Sequence, residues 1–241
     1  MKKFKLTSEF IVDISGVKLF RIKALIEFGN VKAGDLGGYI EKEENLSHMG
    51  NAWVSGNAQV SGDARVSGNA RVSGDAQVSG DARVSGNAQV SGNAQVSGDA
   101  RVSGNAQVFG DARVSGNARV FGDAQVSGNA QVSGNARVFG DAQVSGDARV
   151  SGNAQVFGDA RVSGDARVSG DKDYAYAHGF GSCNRTTTFF RLKDGDVGVR
   201  CGCFYGTLAQ FRDKVCETHG ETKKAQEYLM LADLMEIRFK N

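Results

Sequence analysis

The chain has 241 residues, with 29 Lys plus Arg against 27 Asp plus Glu and a formal net charge of +2. That balance argues against a polycation that grips nucleic acid and against an acidic nucleic-acid mimic. No apolar run reaches the roughly 18 residues of a membrane-spanning helix, and the opening MKKFKLTSEFIVDISG has no sustained apolar stretch and no small-residue cleavage site, so it does not read as a signal peptide.

Residues 1–35 read as an N-terminal β cap. FKL, FIVDI and KLFRIKALI alternate or run apolar, with a turn at Ser15-Gly16. Residues 36–171 read as a β-helix, with an irregular first coil over 36–53 and regular hexads over 54–171. Tracing the hexad phase backwards puts Leu36 in a Val slot and Ile40, Leu46 and Ala52 in Ala slots. His48 then falls in a Val slot, as a buried or cap histidine.

From Val54 to Asp171 one unit recurs, V-[S/F]-G-[N/D]-A-[Q/R], with Val at every sixth position from 54 to 168. A fixed short period decides the fold before any other signal. Six is even, so strand alternation stays in phase: Val, Gly and Ala share one side and the polar residues the other. A helix would need a period near 3.6. Gly followed by Asn or Asp supplies a bend in each hexad. The pattern predicts a mainly β fold, a parallel β-helix.

Val54 with Ala58, and each later pair, places a small residue four positions after an aliphatic one. In this the array resembles the hexapeptide-repeat family. The resemblance implies a left-handed triangular solenoid with three hexads per coil, so that residues 18 apart stack. A right-handed β-solenoid of the bactofilin type is the competing architecture. KAGDLGGYIEKEENLS followed by GNAWVSGNA, with GCFYGTLAQF and ETHG in the tail, resembles uncharacterised hexapeptide-repeat proteins of phages and prophages. That resemblance implies a phage setting and no particular activity.

Four outward positions carry Phe in place of Ser: Phe109, Phe121, Phe139 and Phe157. The last three are spaced by 18 and stack on the triangular reading, whereas Phe109 lies on another face. Together they are the candidate interface, either for a second copy or a partner, or as a self-supporting stack covered by a terminal module. Hexapeptide acyltransferases resemble one another in using a histidine and a projecting loop. Here the three histidines, His48, His178 and His219, all lie outside the array, and no loop interrupts it. No catalytic residue, cofactor or metal is therefore expected.

Residues 172–241 read as a separate small ββαα module. TTTFFRLKDGDVGVRCGCF predicts a hairpin turning at Lys193–Asp196. Thr207 with Gln210 forms a capping box for a first helix, striped by Leu208, Phe211 and Val215 and ended by His219-Gly220. A second helix is expected from about Glu221 to Ile237, with Tyr228, Leu231, Leu234 and Met235 at helical spacing. The segment HGFGSCNRTTTFFR reads as a loop. Its Arg185, Thr186, Thr187 and Arg191, with Arg200 beyond, form a candidate anion- or partner-binding set. Cys183, Cys201, Cys203 and Cys216 lack paired CxxC spacing and read as reduced core thiols, not zinc ligands.

The near identity of the hexads leaves no coil with chemistry of its own. The expectation is a non-enzymatic cytoplasmic scaffold or adaptor of phage origin, forming a homo-oligomer (dimer or trimer). The first alternative is an inhibitor of a host defence or replication protein; the second is an acyltransferase-like hexapeptide enzyme, which the missing loop and histidine in the array disfavour.

Overall fold

The computed structural model describes residues 1–181 and 185–240. Strands β1 (Phe4–Val12), β2 (Lys18–Ala24) and β3 (Leu36–Ile40) lead into 20 two-residue strands, β4 to β23, running from Trp53–Val54 to Arg167–Val168. Four longer strands follow, β24 (Tyr174–Phe180), β25 (Arg185–Arg191), β26 (Val197–Cys201) and β27 (Phe204–Thr207), then helices α1 (Leu208–His219) and α2 (Lys223–Phe239).

The rod strands sort into three parallel sheets, one per face, in which each strand pairs with the strand three places on. Gln89 lies beside Gln107 and Val90 beside Val108, a register of 18 residues, so three hexads make one coil. The first face carries Gln59–Val60 and its successors, the second Trp53–Val54, the third Arg65–Val66. The cause is the even period: Val and Ala always point inward, and from Val54 to Ala166 every one is fully buried. Burying each Val contributes roughly 1.5–2 kcal/mol.

The chain turns each corner through a Gly with positive φ, as at Gly104 with φ 70°. A Cβ there would stand 2.8 Å from the backbone N of Gly122 in the next coil. Only Gly allows coils to approach this closely in that conformation.

The rod has a direction. Gln89 N–H donates to the Ala106 carbonyl, Ser91 N–H to Val108, and Asn87 N–H to Gly104, each reaching one coil toward the C-terminus. The first coil is therefore left with unbonded carbonyls at these positions and the last coil with unbonded N–H groups, which burial would make costly. Donors close the first end. Lys3 Nζ donates to the carbonyls of Ala52 at 2.8 Å and Gly50 at 3.3 Å. Asn45 Nδ2 donates to those of Gly62 and Ala64. Acceptors close the other end. Asp171 Oδ1 accepts from Gln155 N–H, Thr188 Oγ1 from Arg161 N–H, and Asp173 Oδ2 from the N–H groups of Ser169 and Gly170. Burial opposes ionisation of Asp173, but the Ser169 hydroxyl and these N–H groups outweigh it and hold its carboxyl below the ordinary range.

Several expectations at the ends need correction. FKL and the FIV of FIVDI lie in one strand, β1, with a register shift between Leu6 and Phe10, and Asp13 and Ile14 fall beyond its end. Ile40 pairs with Val60, and Leu46 bridges Val66, so both occupy Val slots and not Ala slots. Leu36 is half exposed rather than inward. The phase slips because the first coil holds two extra residues. Ser47 N–H donates to Val66 as a regular Ser does, and Gly50 lies over Gly68, which leaves His48 and Met49 inserted between them. His48 is thus outside the Val column. Its ring stacks on Phe4 at 4.4 Å, and its Nδ1 accepts from Lys3 N–H.

The C-terminal module has four antiparallel strands ahead of its helices, in the order β24-β25-β26-β27. The expected loop over 178–191 is mostly strand, because β24 and β25 pair from Tyr174–Phe190 to Phe180–Arg185. The sheet is not separate from the rod. Phe190 packs into the rod's core, while its neighbour Phe189 packs with Phe211, Val215 and Tyr228 against the helices. Thr207 accepts from Gln210 N–H, and Gln210 Oε1 accepts from Thr207 N–H, so the capping box at α1 forms as read.

Candidate functional site

The aromatic column lies on the edge where the third face turns into the second. Phe121 and Phe139 stack at 4.9 Å with parallel planes, and Phe139 and Phe157 at 5.3 Å. Identical side chains in register one coil apart produce this geometry directly, since the coil repeat is about 4.8 Å. Phe157 then meets Tyr176 edge-on at 5.5 Å, so the column runs into the C-terminal sheet. Phe109 stands apart on another edge, 37% exposed.

A groove of about 520 Å³ opens beside Phe157, lined by Tyr174, Tyr176, Leu234, Met235 and Arg238. Beyond it α2 exposes Met230, Leu234 and Ile237 by 70%, 54% and 71%. Their spacing puts them on one face of the helix. Of the residues at helical spacing on α2, Tyr228 and Met235 enter the core with Ala232, whereas Leu234 faces outward.

The array's overall charge balance conceals a segregation by column. Arg65, Arg83, Arg101, Arg119 and Arg137 lie side by side in register on the third face. All five are exposed, and among the described residues none has an ion-pair partner within 4.0 Å. Reading the [Q/R] slot at every eighteenth position would have revealed this ladder. Asn69, Asn87, Asn105 and Asp123 form a hydrogen-bonded ladder on the second face, at 2.9–3.0 Å.

The five residues of the candidate anion set do not converge. Arg185 and Thr186 line a cleft of about 700 Å³ with Asp159, Arg161, His178 and Cys203. In it His178 Nδ1 lies 2.9 Å from Thr186 Oγ1 and 3.9 Å from Asp159. Thr187 is buried, its hydroxyl donating to Cys201 Sγ. Arg191 donates to the carbonyls of Gly195 and Phe239, which ties it to the end of α2. Arg200 sits on β26 opposite Thr188 and Tyr205.

The thiols are not a core cluster. Cys201 is half-buried, Cys203 and Cys216 are exposed, and Cys183 lies outside the described residues. Cys203 falls in the turn after β26, so it does not share a strand face with Cys201. Among the described residues no three His, Cys, Asp or Glu side chains gather where they could hold a metal ion, and no helix is long and apolar enough to cross a membrane.

Fold and surface together define a capped parallel β-solenoid with three hexads per coil. The rod matches the YdcK beta solenoid repeat over residues 58–74, 76–92, 94–110, 106–120, 112–128, 130–143, 142–158 and 154–170. No curated protein shows significant similarity to the chain.

Proposed function

We propose that the protein is a non-enzymatic scaffold or adaptor of phage origin, in which the rod holds its two ends at a fixed separation and the chains self-associate. The uniformity of the coils carries this reading. From Val54 to Gly170 no segment is inserted and no histidine occurs, so the residues available for selective recognition lie at the ends and on the aromatic edge. The phage setting rests on the KAGDLGG lead-in. The exposed apolar face of α2, Met230, Leu234 and Ile237, supports a protein partner at the C-terminal end. The same face supports the second reading, an inhibitor docking on a host protein.

The test is capture from host lysate with mass spectrometry, using the full chain, a chain one coil shorter, and a chain carrying Met230→Asp, Leu234→Asp and Ile237→Asp. A protein held by the first two and lost from the third fits an end-presenting adaptor. A protein released by shortening the rod, yet held by the α2 variant, would overturn it.

A further inference from the structure

The aromatic edge is charged differently on its two sides. Two residues before Phe121 and Phe139 stand Arg119 and Arg137, closing the third face. Two residues after Phe121, Phe139 and Phe157 stand Asp123, Asp141 and Asp159, opening the second face. Higher on the same edge the corner residues are Ser67, Ser85 and Ser103, and there Asn69, Asn87 and Asn105 replace the Asp. Along this edge, then, carboxylates begin where the Phe residues begin.

Among the described residues, Asp159 alone of these charged groups lies within 4.0 Å of a basic side chain, His178 Nδ1 at 3.9 Å. Arg119 and Arg137 have no ion-pair or side-chain hydrogen-bond partner among the described residues, and neither does Asp141. The Asn ladder stops at Asp123, so Asp123, Asp141 and Asp159 follow one another with no amide between them. Like charges are thereby held one rung, about 4.8 Å, apart on each side of an apolar ladder. A surface of this kind is complementary to one bearing the same three stripes in the opposite lateral order.

We infer that the occupant of this edge is a second copy of the chain, its rod running in the same direction. The inference rests on the self-association proposed above and specifies its geometry. A symmetry axis parallel to the rods reverses the lateral order while keeping each residue at its own height. Phe121 and Phe139 then meet the same ladder of the second copy, Arg119 faces Asp123 of the second copy, and Arg137 faces its Asp141. An axis across the rods would make them antiparallel and set arginine against arginine and aspartate against aspartate. The parallel arrangement also brings two C-terminal modules side by side at one end.

Light scattering on the full chain and two surface variants tests this. The first variant is Arg119→Asp with Arg137→Asp; the second adds Asp123→Arg and Asp141→Arg. The expected masses are oligomer for the unaltered chain, monomer for the double variant, and oligomer again for the fourfold variant. Unchanged circular dichroism in both variants shows that they fold. A monomeric unaltered chain would overturn self-association itself. An oligomer that survives the double variant leaves self-association standing and removes this edge from it. If the fourfold variant stays monomeric and folded, the lateral pairing is wrong.

Discussion

Lys3 Nζ lies 2.8 Å from the carbonyl oxygen of Ala52, where a regular coil would place a backbone N–H of the coil above. One ammonium thus stands in for a missing coil and also reaches Gly50. Burial brings its pKa down from the ordinary 10.5 to about 8. Lys3→Met should destabilise the chain by about 1–3 kcal/mol at pH 7, because it leaves buried acceptors without donors. Between pH 8 and 10.5 the unfolded chain keeps a proton on Lys3 that the folded chain has released, so the stability of the unaltered chain rises relative to the variant as pH increases. Urea midpoints of both proteins at pH 7 and 9.5 check the sign.

At the other end Asp173 does the converse work as an acceptor. Asp173→Asn keeps the shape but removes the charge that draws on Ser169 and Gly170. Because the folded carboxyl lies below its ordinary 3.8, its contribution is present above that pH and fades as the pH falls through the folded value. The variant should be less stable at pH 7, by about 1–3 kcal/mol, and the gap should narrow at pH 3. Thermal melting of both proteins at the two pH values measures it. An equal gap at both would separate the stabilisation from ionisation.

The rod was legible because one constraint, inward Val and Ala at an even period, repeats without exception. The ends were not, because there the constraint is met by pieces of different origin. Extending the phase upstream failed at His48 and Met49, whose insertion changes no local pattern but shifts Ile40 and Leu46 by two residues. The Gly- and Thr-rich stretch after His178 looks like a loop, yet Thr187 and Thr188 are buried in a central strand, where β-branched residues suit a pleated surface. The helices were readable because Thr207, Gln210 and Gly220 are local stop and start signals. The Phe column followed from a spacing of 18 once the family resemblance supplied three hexads per coil; the arginine ladder needed the same arithmetic applied to charge.

Two glycines separate conformational strain from crowding. Gly16 has φ 81°, with nothing within 4 Å of an added Cβ. Gly16→Ala should cost about 1–2 kcal/mol, the left-handed penalty alone. Gly104 has φ 70°, and its Cβ would press on the backbone of Gly122, which cannot move without opening the coil stack. Gly104→Ala should therefore cost clearly more. Chemical denaturation of both variants decides the order, and equal costs would mean that the coils yield more easily than their packing indicates.

Rod length tests the coil itself. Removing Ser79 to Val96 takes out one full coil and joins Val78 to Ser97, so every later residue keeps its slot and its face. Both caps, the Phe column and the C-terminal sheet are untouched. This shortened chain should fold, with a cooperative melt close to that of the full chain, since each coil contacts only its neighbours. Removing Ser79 to Asn87 instead joins Val78 to Ala88. Half a coil is lost, an odd number of residues, so inward positions would turn outward on one side of the junction. That chain should fail to fold cooperatively. Circular dichroism melts of the two deletions make the comparison. If both melted alike, the period of six would not be what orders the rod.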